Sequence, residues 1–456
     1  MSEPRFDMEE YDEAGDLVAS YIQSFSKRSE TDVARVDVVV PSTSNPISVW
    51  NMCIDVFLPA GYPHSVTDDY LKYQIYDSLQ AFSSSMAAML SSRAVLEGVG
   101  VGDASVSPTS ALLLSVLHES AGRLATILFA HRLGTSLEPE CKMYRLAADF
   151  LNDSAMILDC LSPVFPKPIR VLVFSLSSIL RALCGVAAGS SKASLSAHFA
   201  KWGNLGELNA KDSSQETVIS LMGMLVGSVL VSRISTPFLT WTAMLVLLTI
   251  HLFMNASAVR AVSMRSLNRQ RANIVFSHLL AYDKVLSPKE VSKRERIFER
   301  DGVFRGARDQ VIGYGKIGVS LQQLMKAMSR SPRTTTGSVT LRGNELAKLL
   351  DLYKTETYIL WFDWEVSTVY IVLKQGSTAQ SQLKAWSQGL LLAQRAAADS
   401  GDRDKDSENL RFTRIVSSLE QTSKRFDEDI GRLRAAGWDV DVCALETRSG
   451  TRLVCK

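Results

Sequence analysis

Two apolar stretches decide the fold: TVISLMGMLVGSVLVS at Thr217–Ser232 and ISTPFLTWTAMLVLLTIHLFMNASAV at Ile234–Val259. They carry no charge apart from His251 and are separated only by Arg233 and a Ser-Thr-Pro turn. A bilayer core needs about 20 consecutive apolar residues from a helix. The pair therefore predicts a helical hairpin with the reach of a membrane. Gly223 and Gly227 stand four apart in its first arm, and Gly185 with Gly189 repeat the spacing upstream. Small residues at this interval let helix backbones approach in lipid, where apolar side chains gain little by meeting one another.

Working outward, Asp77–Arg93, Asp103–Glu119 and Arg181–Lys192 enclose further runs without Asp, Glu, Lys or Arg. Six spans result, near 78–97, 106–130, 147–164, 171–189, 217–232 and 236–257. The third is the weakest, because Asp149, Asp153 and Asp159 would each cost about 3 kcal/mol at a bilayer centre. The sequence thus predicts at least two spans and at most six. Counted on alternate sides, Arg132, Lys142, Arg145, Lys192, Lys201, Lys211, Arg260, Arg265, Arg269 and Arg271 face Arg93, Lys167, Arg170 and Arg233. That bias predicts an intracellular, multi-pass membrane protein with both termini cytosolic.

The remainder reads as soluble. Residues 1–40 form an acidic, largely disordered extension with one short strand at Thr31–Val40, and 41–275 form the helical membrane domain. Residues 276–336 read as a charged helix and linker, VLSPKEVSKRERIFER at Val285–Arg300 followed by SRSPRTTTG at Ser329–Gly337. A small α+β domain occupies 337–456, with strands at Tyr358–Asp363 and Thr368–Leu373, helices at Ser377–Ala398 and Ser407–Ala436, and a closing hairpin from Trp438–Glu446 and Thr451–Cys455. The fold class is thus mainly α, a multi-helix membrane bundle followed by this domain. With seven acidic residues and only Arg5 among the first sixteen, and no apolar segment after them, insertion falls to the internal helices.

Net charge is +2, so the large basic excess that favours nucleic acid is missing. The six cysteines form no CxxC and read as buried thiols. The six histidines form no HExxH and no GxSxG occurs, so the sequence predicts no catalytic residue, no metal site and no cofactor. GVGVGD at Gly98–Asp103 and GYGK at Gly313–Lys316 lack complete phosphate-loop spacing and read as turns.

Several blocks in fixed order carry a family resemblance. They are FLPAGYPHSVTDDYLKYQIYDSLQ (Phe57–Gln80), LEGVGVGDASVSPTSA (Leu96–Ala111), KMYRLAADFLNDSA (Lys142–Ala155), KASLSAHFAKWGNLGELNAKDSSQET (Lys192–Thr217), HLFMNASAVRAVSMRSLNRQR (His251–Arg271) and VLSPKEVSKRERI (Val285–Ile297). Together they resemble the root-UVB-sensitive family, with Ser115 and Glu119 marking a divergent member where the family tends to have tryptophan and aspartate. The resemblance implies membrane association and, in plants, links to UV-B responses of roots, early seedling development, auxin transport and vitamin B6 homeostasis. It also implies a homomeric or family-member complex. It implies no reaction.

What the residues themselves offer is a set of charges beside the apolar helices. Arg93 with Glu97, Glu119 with Arg123, and Arg145 with Asp149 are four apart and can meet on one helix face, whereas Arg181 has no local partner. These are candidates for inter-helix pairs or for a polar solute path. A polar stretch with Asn204, Glu207, Asn209, Lys211 and Asp212 reads as a cytosolic recognition loop. The sequence therefore predicts a non-enzymatic membrane scaffold or regulator that contacts lipid and partner proteins, its small-molecule ligand unknown. A small-solute carrier resembling a six-span transporter half is the alternative, and a soluble helical scaffold the third.

Overall fold

The computed structural model describes residues 7–11, 17–25, 34–39, 56–99, 108–329, 341, 344–398, 408–447 and 450–454. The chain is mainly helical and divides into two compact units, residues 1–97 with 193–258 and residues 98–192 with 259–456. Six long helices run in order: α1 (Tyr70–Val99), α2 (Pro108–Leu137), α3 (Cys141–Leu161), α4 (Lys167–Phe199), α5 (Leu205–Arg233) and α6 (Pro237–Ala261). Among the described residues α4, α5 and α6 are long and apolar enough to cross a bilayer. The two arms of the predicted hairpin are α5 and α6, and α4 contains the span read near 171–189.

Within the first unit, α1 is the element against which α5 and α6 pack. A Cβ on Gly223 would lie 2.8 Å from the Phe82 carbonyl oxygen and from Ser85 Cβ, and one on Gly227 would lie 3.1 Å from Met86 Cα. The glycines are where α5 meets α1 backbone to backbone. Polar bonds complete the seam: Gln80 Nε2 lies 3.2 Å from His251 Nε2, and Gln74 Nε2 donates to Asp212 Oδ1 at 2.8 Å. The buried face of α5 is Leu208, Asp212, Gln215, Gly223 and Gly227, while Leu221, Met222, Leu225, Val226 and Val229 are exposed. Only 11% of the most apolar stretch of α5 is buried. A helix of a water-soluble bundle shows the reverse arrangement, apolar inside and polar outside.

The same unit holds an antiparallel sheet, β1 (Asp7–Tyr11), β2 (Leu17–Phe25) and β3 (Ala34–Val39). Disorder was the expectation for most of this acidic extension. The alternation of LVASYIQSF lets β2 pair on both edges, with Ala19 buried and the Tyr21 hydroxyl donating across to Glu10 at 2.6 Å.

In the second unit α7 (Arg269–Tyr282) and the five-residue α8 (Pro288–Ser292) lead into a five-stranded mixed sheet. Its order is β4 (Val303–Arg305), β5 (Val311–Ile317), β7 (Thr368–Lys374), β6 (Tyr358–Asp363), and β8 (Arg452–Leu453) continues the β5 edge of β7. Short helices α9 (Leu321–Met328) and α10 (Glu345–Leu352) precede β6, and α11 (Ala379–Ala398) and α12 (Glu408–Ala435) follow β7. Contacts of α11 with β5, β6 and β7 bury Trp386, Leu390 and Ala393 in a single core.

Four expectations change here. The stretch 276–336, read as helix and linker, supplies β4 and β5, so the sheet starts well before residue 337. GYGK is part of β5, not a turn: a Cβ on Gly315 would lie 2.6–2.7 Å from the rings of Phe304 and Trp386, so glycine makes room for a buried indole. The charged helix from Val285 shrinks to α8, whose Ser287 and Glu290 form a complete capping box. The closing hairpin is absent among the described residues, because β8 runs parallel to β7 and Trp438 instead donates from Nε1 to the Leu286 carbonyl at 2.7 Å. Cys141 and Cys160 are buried as expected and Cys443 is exposed; Cys53, Cys455, most of the Gly98–Asp103 motif and most of Ser329–Gly337 lie outside the described residues.

Candidate functional site

The charges singled out along the helices fall in different places. In the first unit Arg93 Nε lies 3.0 Å from Glu97 Oε1, and its Nη1 donates to the Ile234 carbonyl at 2.9 Å, tying α1 to the turn between α5 and α6. In the second unit Glu119 and Arg123 are 4.0 Å apart and largely exposed, a loose pair on the surface of α2. Arg145 and Asp149 meet at 3.4 Å on the buried face of α3, and Arg181 finds its partner across helices in Asp159, which is fully buried. Arg181 and Asp159 therefore join α4 to α3, while Arg145 and Asp149 pair within the buried face of α3. Their charges are matched within the protein, which lowers the cost of burying each one.

The predicted recognition loop is not a loop. Asn204 stands at the N-terminal boundary of α5 without a side-chain capping bond, and Glu207, Asn209, Lys211 and Asp212 occupy the first two turns of the helix. Glu207 accepts from the Ala60 amide at 2.7 Å and Lys211 donates to the Val56 carbonyl at 3.1 Å. The polar residues look like a loop in sequence because they precede the apolar part of the helix; in the fold they bind the segment that leads into α1.

A denser polar centre lies where three of the quoted blocks meet. Lys142 opens α3, Arg271 lies in the first turn of α7, and Glu295 follows α8. The Glu295 carboxylate is divided between them, 2.6 Å from Lys142 Nζ and 2.8 Å from Arg271 Nη1, with all three side chains almost completely buried. Burial alone would push the Glu295 carboxyl up, but the charges and hydrogen bonds of Lys142 and Arg271 outweigh it and hold it below its ordinary value. Asn268 caps α7 through its Oδ1 and donates from Nδ2 to the Pro139 carbonyl and to Glu140, both at 3.1 Å. Burial pushes the Glu140 carboxyl up, against the pull of Arg271.

Arg269 adds a link to the C-terminal end of the chain, donating from Nε to the Leu445 carbonyl at 2.6 Å and pairing with Asp301. Lys142, Arg145, Arg269 and Arg271 belong to the excess of positive charge that the sequence assigns to one face of the bundle. All four are buried in ion pairs, so they report on folding inside the protein, and the excess of positive charge on one side shrinks accordingly. Nothing in local spacing marks this centre. Its members Lys142, Arg271 and Glu295 lie far apart in sequence, each in a different one of the blocks that carry the family resemblance.

Two cavities adjoin the centre. One, of about 230 Å³, is lined by Glu140, Tyr144, Arg269, Arg300 and Asp301. The other, of about 280 Å³, lies between α7 and the segment from Arg294 to Asp309. Among the described residues no three His, Cys, Asp or Glu side chains group as metal ligands. What the site can do by its chemistry is hold charged groups in matched pairs and offer guanidinium groups to a polar solute.

Comparison with known proteins places these features in context. The description "Vitamin B6 photo-protection and homoeostasis domain" matches residues 43–283, and "Root UVB sensitive protein, C-terminal" matches residues 284–448. The chain is 36% identical to RUS family member 1 of Dictyostelium discoideum over 303 residues, 66% of this chain and 56% of that protein. It is 35% identical to protein root UVB sensitive 3 of Arabidopsis thaliana over 295 residues, 63% and 67% of the two chains. Protein root UVB sensitive 5 of the same plant is 25% identical over 417 residues, 88% and 76%. The matched region thus spans a little over half the length of the Dictyostelium relative. No solved structure matches the chain.

Proposed function

Because the chain belongs to the root UVB sensitive family, we propose that it is an integral membrane protein of vitamin B6 homeostasis, a non-enzymatic scaffold or regulator acting through partner proteins. One observation carries the membrane half of this reading: α5 buries Asp212, Gln215 and two glycines and exposes Leu221, Met222, Leu225, Val226 and Val229. In water such a surface would associate or precipitate; in lipid it is the favourable arrangement. Leu172 and Leu176 on α4 and Leu245, Val246 and Phe253 on α6 are exposed in the same way. The protein sits in an intracellular membrane that it crosses an even number of times, which keeps both termini in the cytosol. There the α+β region offers partners a folded, soluble surface, and a second copy or another family member completes the assembly.

Alkaline carbonate washing of membranes tests this. The full-length protein stays in the pellet and is released only by detergent. Recovery in the carbonate supernatant would overturn the reading. Uptake of B6 vitamers by the protein in liposomes, abolished in Arg181→Ala, would replace the scaffold with a carrier.

A further inference from the structure

The cavity of about 280 Å³ is built from both matched regions of the family. One wall is a stripe of α7, where Gln270, Asn273, Ile274, Ser277 and His278 recur at helical spacing. The opposite wall comes from Arg294, Arg296 and Glu299, and from β4 with the turn that follows it.

Two amides of α7 pin the walls together. Asn273 donates from Nδ2 to the Arg305 carbonyl at 3.3 Å and accepts from the Arg305 amide at 3.2 Å. Three residues earlier the Gln270 amide, oriented to satisfy both of its ends, makes the same double bond with the Arg296 backbone at 3.1 and 3.2 Å. The main chain of Arg296 and Arg305 is therefore held against α7 before any ligand arrives. Glu299 fixes Arg305 further, accepting from Nε at 2.7 Å and from Nη2 at 3.2 Å, and Asp309 pairs with Arg296.

Donors remain after these bonds. Each guanidinium carries five N–H groups, so neither Arg296 nor Arg305 is saturated. Arg294 is exposed and, among the described residues, forms no ion pair. His278 Nδ1 lies 3.1 Å from the Lys284 carbonyl, which can only accept; the ring proton is therefore on Nδ1, and Nε2 is left for another partner. Three arginines against Glu299 and Asp309 leave the cavity cationic. Ile274, Val303 and Ala307 add apolar surface to the lining.

We infer that this cavity binds a phosphate monoester of a small heteroaromatic ring, reversibly and without a covalent bond. Arginine is the residue whose planar donors match phosphate oxygens. Glu299 and Asp309 suit a protonated ring nitrogen. The volume lies just below the usual range of small-molecule pockets, about 300–1,000 Å³, which suits one ring with one phosphate. No lysine lines the cavity, so an aldehyde on the ring has no amine there to condense with. Taking the ligand to be a phosphorylated B6 vitamer rests on the B6 half of the proposed function; the phosphate-ring chemistry rests on the cavity alone.

Equilibrium dialysis of the full-length protein in detergent, with pyridoxal 5′-phosphate as the probe, tests it. Saturable binding at one site is expected, at least tenfold weaker for pyridoxal, which lacks the phosphate. Arg294→Ala, which removes no ion pair of the fold, lowers affinity tenfold or more, and Arg294→Lys loses less because it keeps the charge. No saturable binding by the folded protein, or unchanged affinity in Arg294→Ala, would overturn the proposal. So would capture of vesicles containing a phosphoinositide that pyridoxal 5′-phosphate fails to displace, since the site would then serve a lipid headgroup. Carbonate extraction reads the membrane claim separately, so the two can fail independently.

Discussion

Glu295→Gln destabilises the second unit by about 3–5 kcal/mol, the cost of leaving buried charge without its partner. The substitution keeps the shape of the side chain and removes only its charge. Lys142 and Arg271 are then both left buried beside a neutral amide. Thermal unfolding in detergent, followed by circular dichroism, reads the loss. Adding Lys142→Met to Glu295→Gln recovers part of it, because one of the two stranded cations is gone; equal stabilities of the single and double variants would show that the pair is not coupled. Acid should act in the same direction. The folded Glu295 carboxyl titrates below its ordinary value of 4.5, so its stabilisation is complete above that pH and is lost as pH falls through the folded value. The wild type therefore loses stability on acidification below about pH 4.5, and Glu295→Gln shows a flatter acid limb.

Gly223→Leu prevents α5 from docking on α1. Even the single methyl of Gly223→Ala would meet the Phe82 carbonyl oxygen and Ser85 Cβ at 2.8 Å, and backbone cannot move aside as a side chain can. Overpacking of this kind costs about 1–3 kcal/mol for the smaller change, and leucine adds three further carbons. The comparison that gives the prediction force is Gly185→Ala. A Cβ there has nothing within 4 Å, so the variant should be neutral, or slightly stabilised by the better helix propensity of alanine. Size-exclusion profiles and melting temperatures in detergent compare the three variants. Equal tolerance at 185 and 223 would remove the glycine contact from the account.

The sequence contained one of its two glycine pairs in a form that led straight to a contact and the other in a form that did not. Gly223 and Gly227 touch α1, while Gly185 and Gly189, with the same spacing, meet no neighbouring atom, because spacing identifies a possible close approach and not the helix that makes it. The hairpin helices were legible for a plain reason: the runs Thr217–Ser232 and Ile234–Val259, free of Asp, Glu, Lys and Arg and divided by one arginine, leave few alternatives. Glycine misled at Gly313 and Gly315, where local sequence suggested a turn and the tertiary neighbour Trp386 required a bare backbone in a strand.

The polar centre was hidden for a related reason. Lys142, Arg271 and Glu295 come from three elements separated by more than a hundred residues at the widest, and each looks like an ordinary surface charge in its own segment. Arg181 shows the same limit in smaller form. Its partner Asp159 lies on the preceding helix, beyond the four-residue window in which pairs can be read from sequence. Conversely, Glu119 and Arg123 had ideal spacing and proved to be exposed, since spacing places two side chains on one face without saying what that face meets.

The outward apolar face of α5 is the feature on which the membrane reading turns, and spin labels can examine it position by position. Single cysteines at Leu221, Leu225 and Val229, introduced after replacement of the native cysteines, are labelled and the protein is placed in lipid bilayers. Collision with oxygen, which partitions into hydrocarbon, is compared with collision with a water-soluble nickel chelate. Oxygen should dominate at all three positions and nickel at Trp202, which is exposed just before α5 begins. Nickel dominating at Leu221, Leu225 and Val229 as it does at Trp202 would place this face in water and contradict the account.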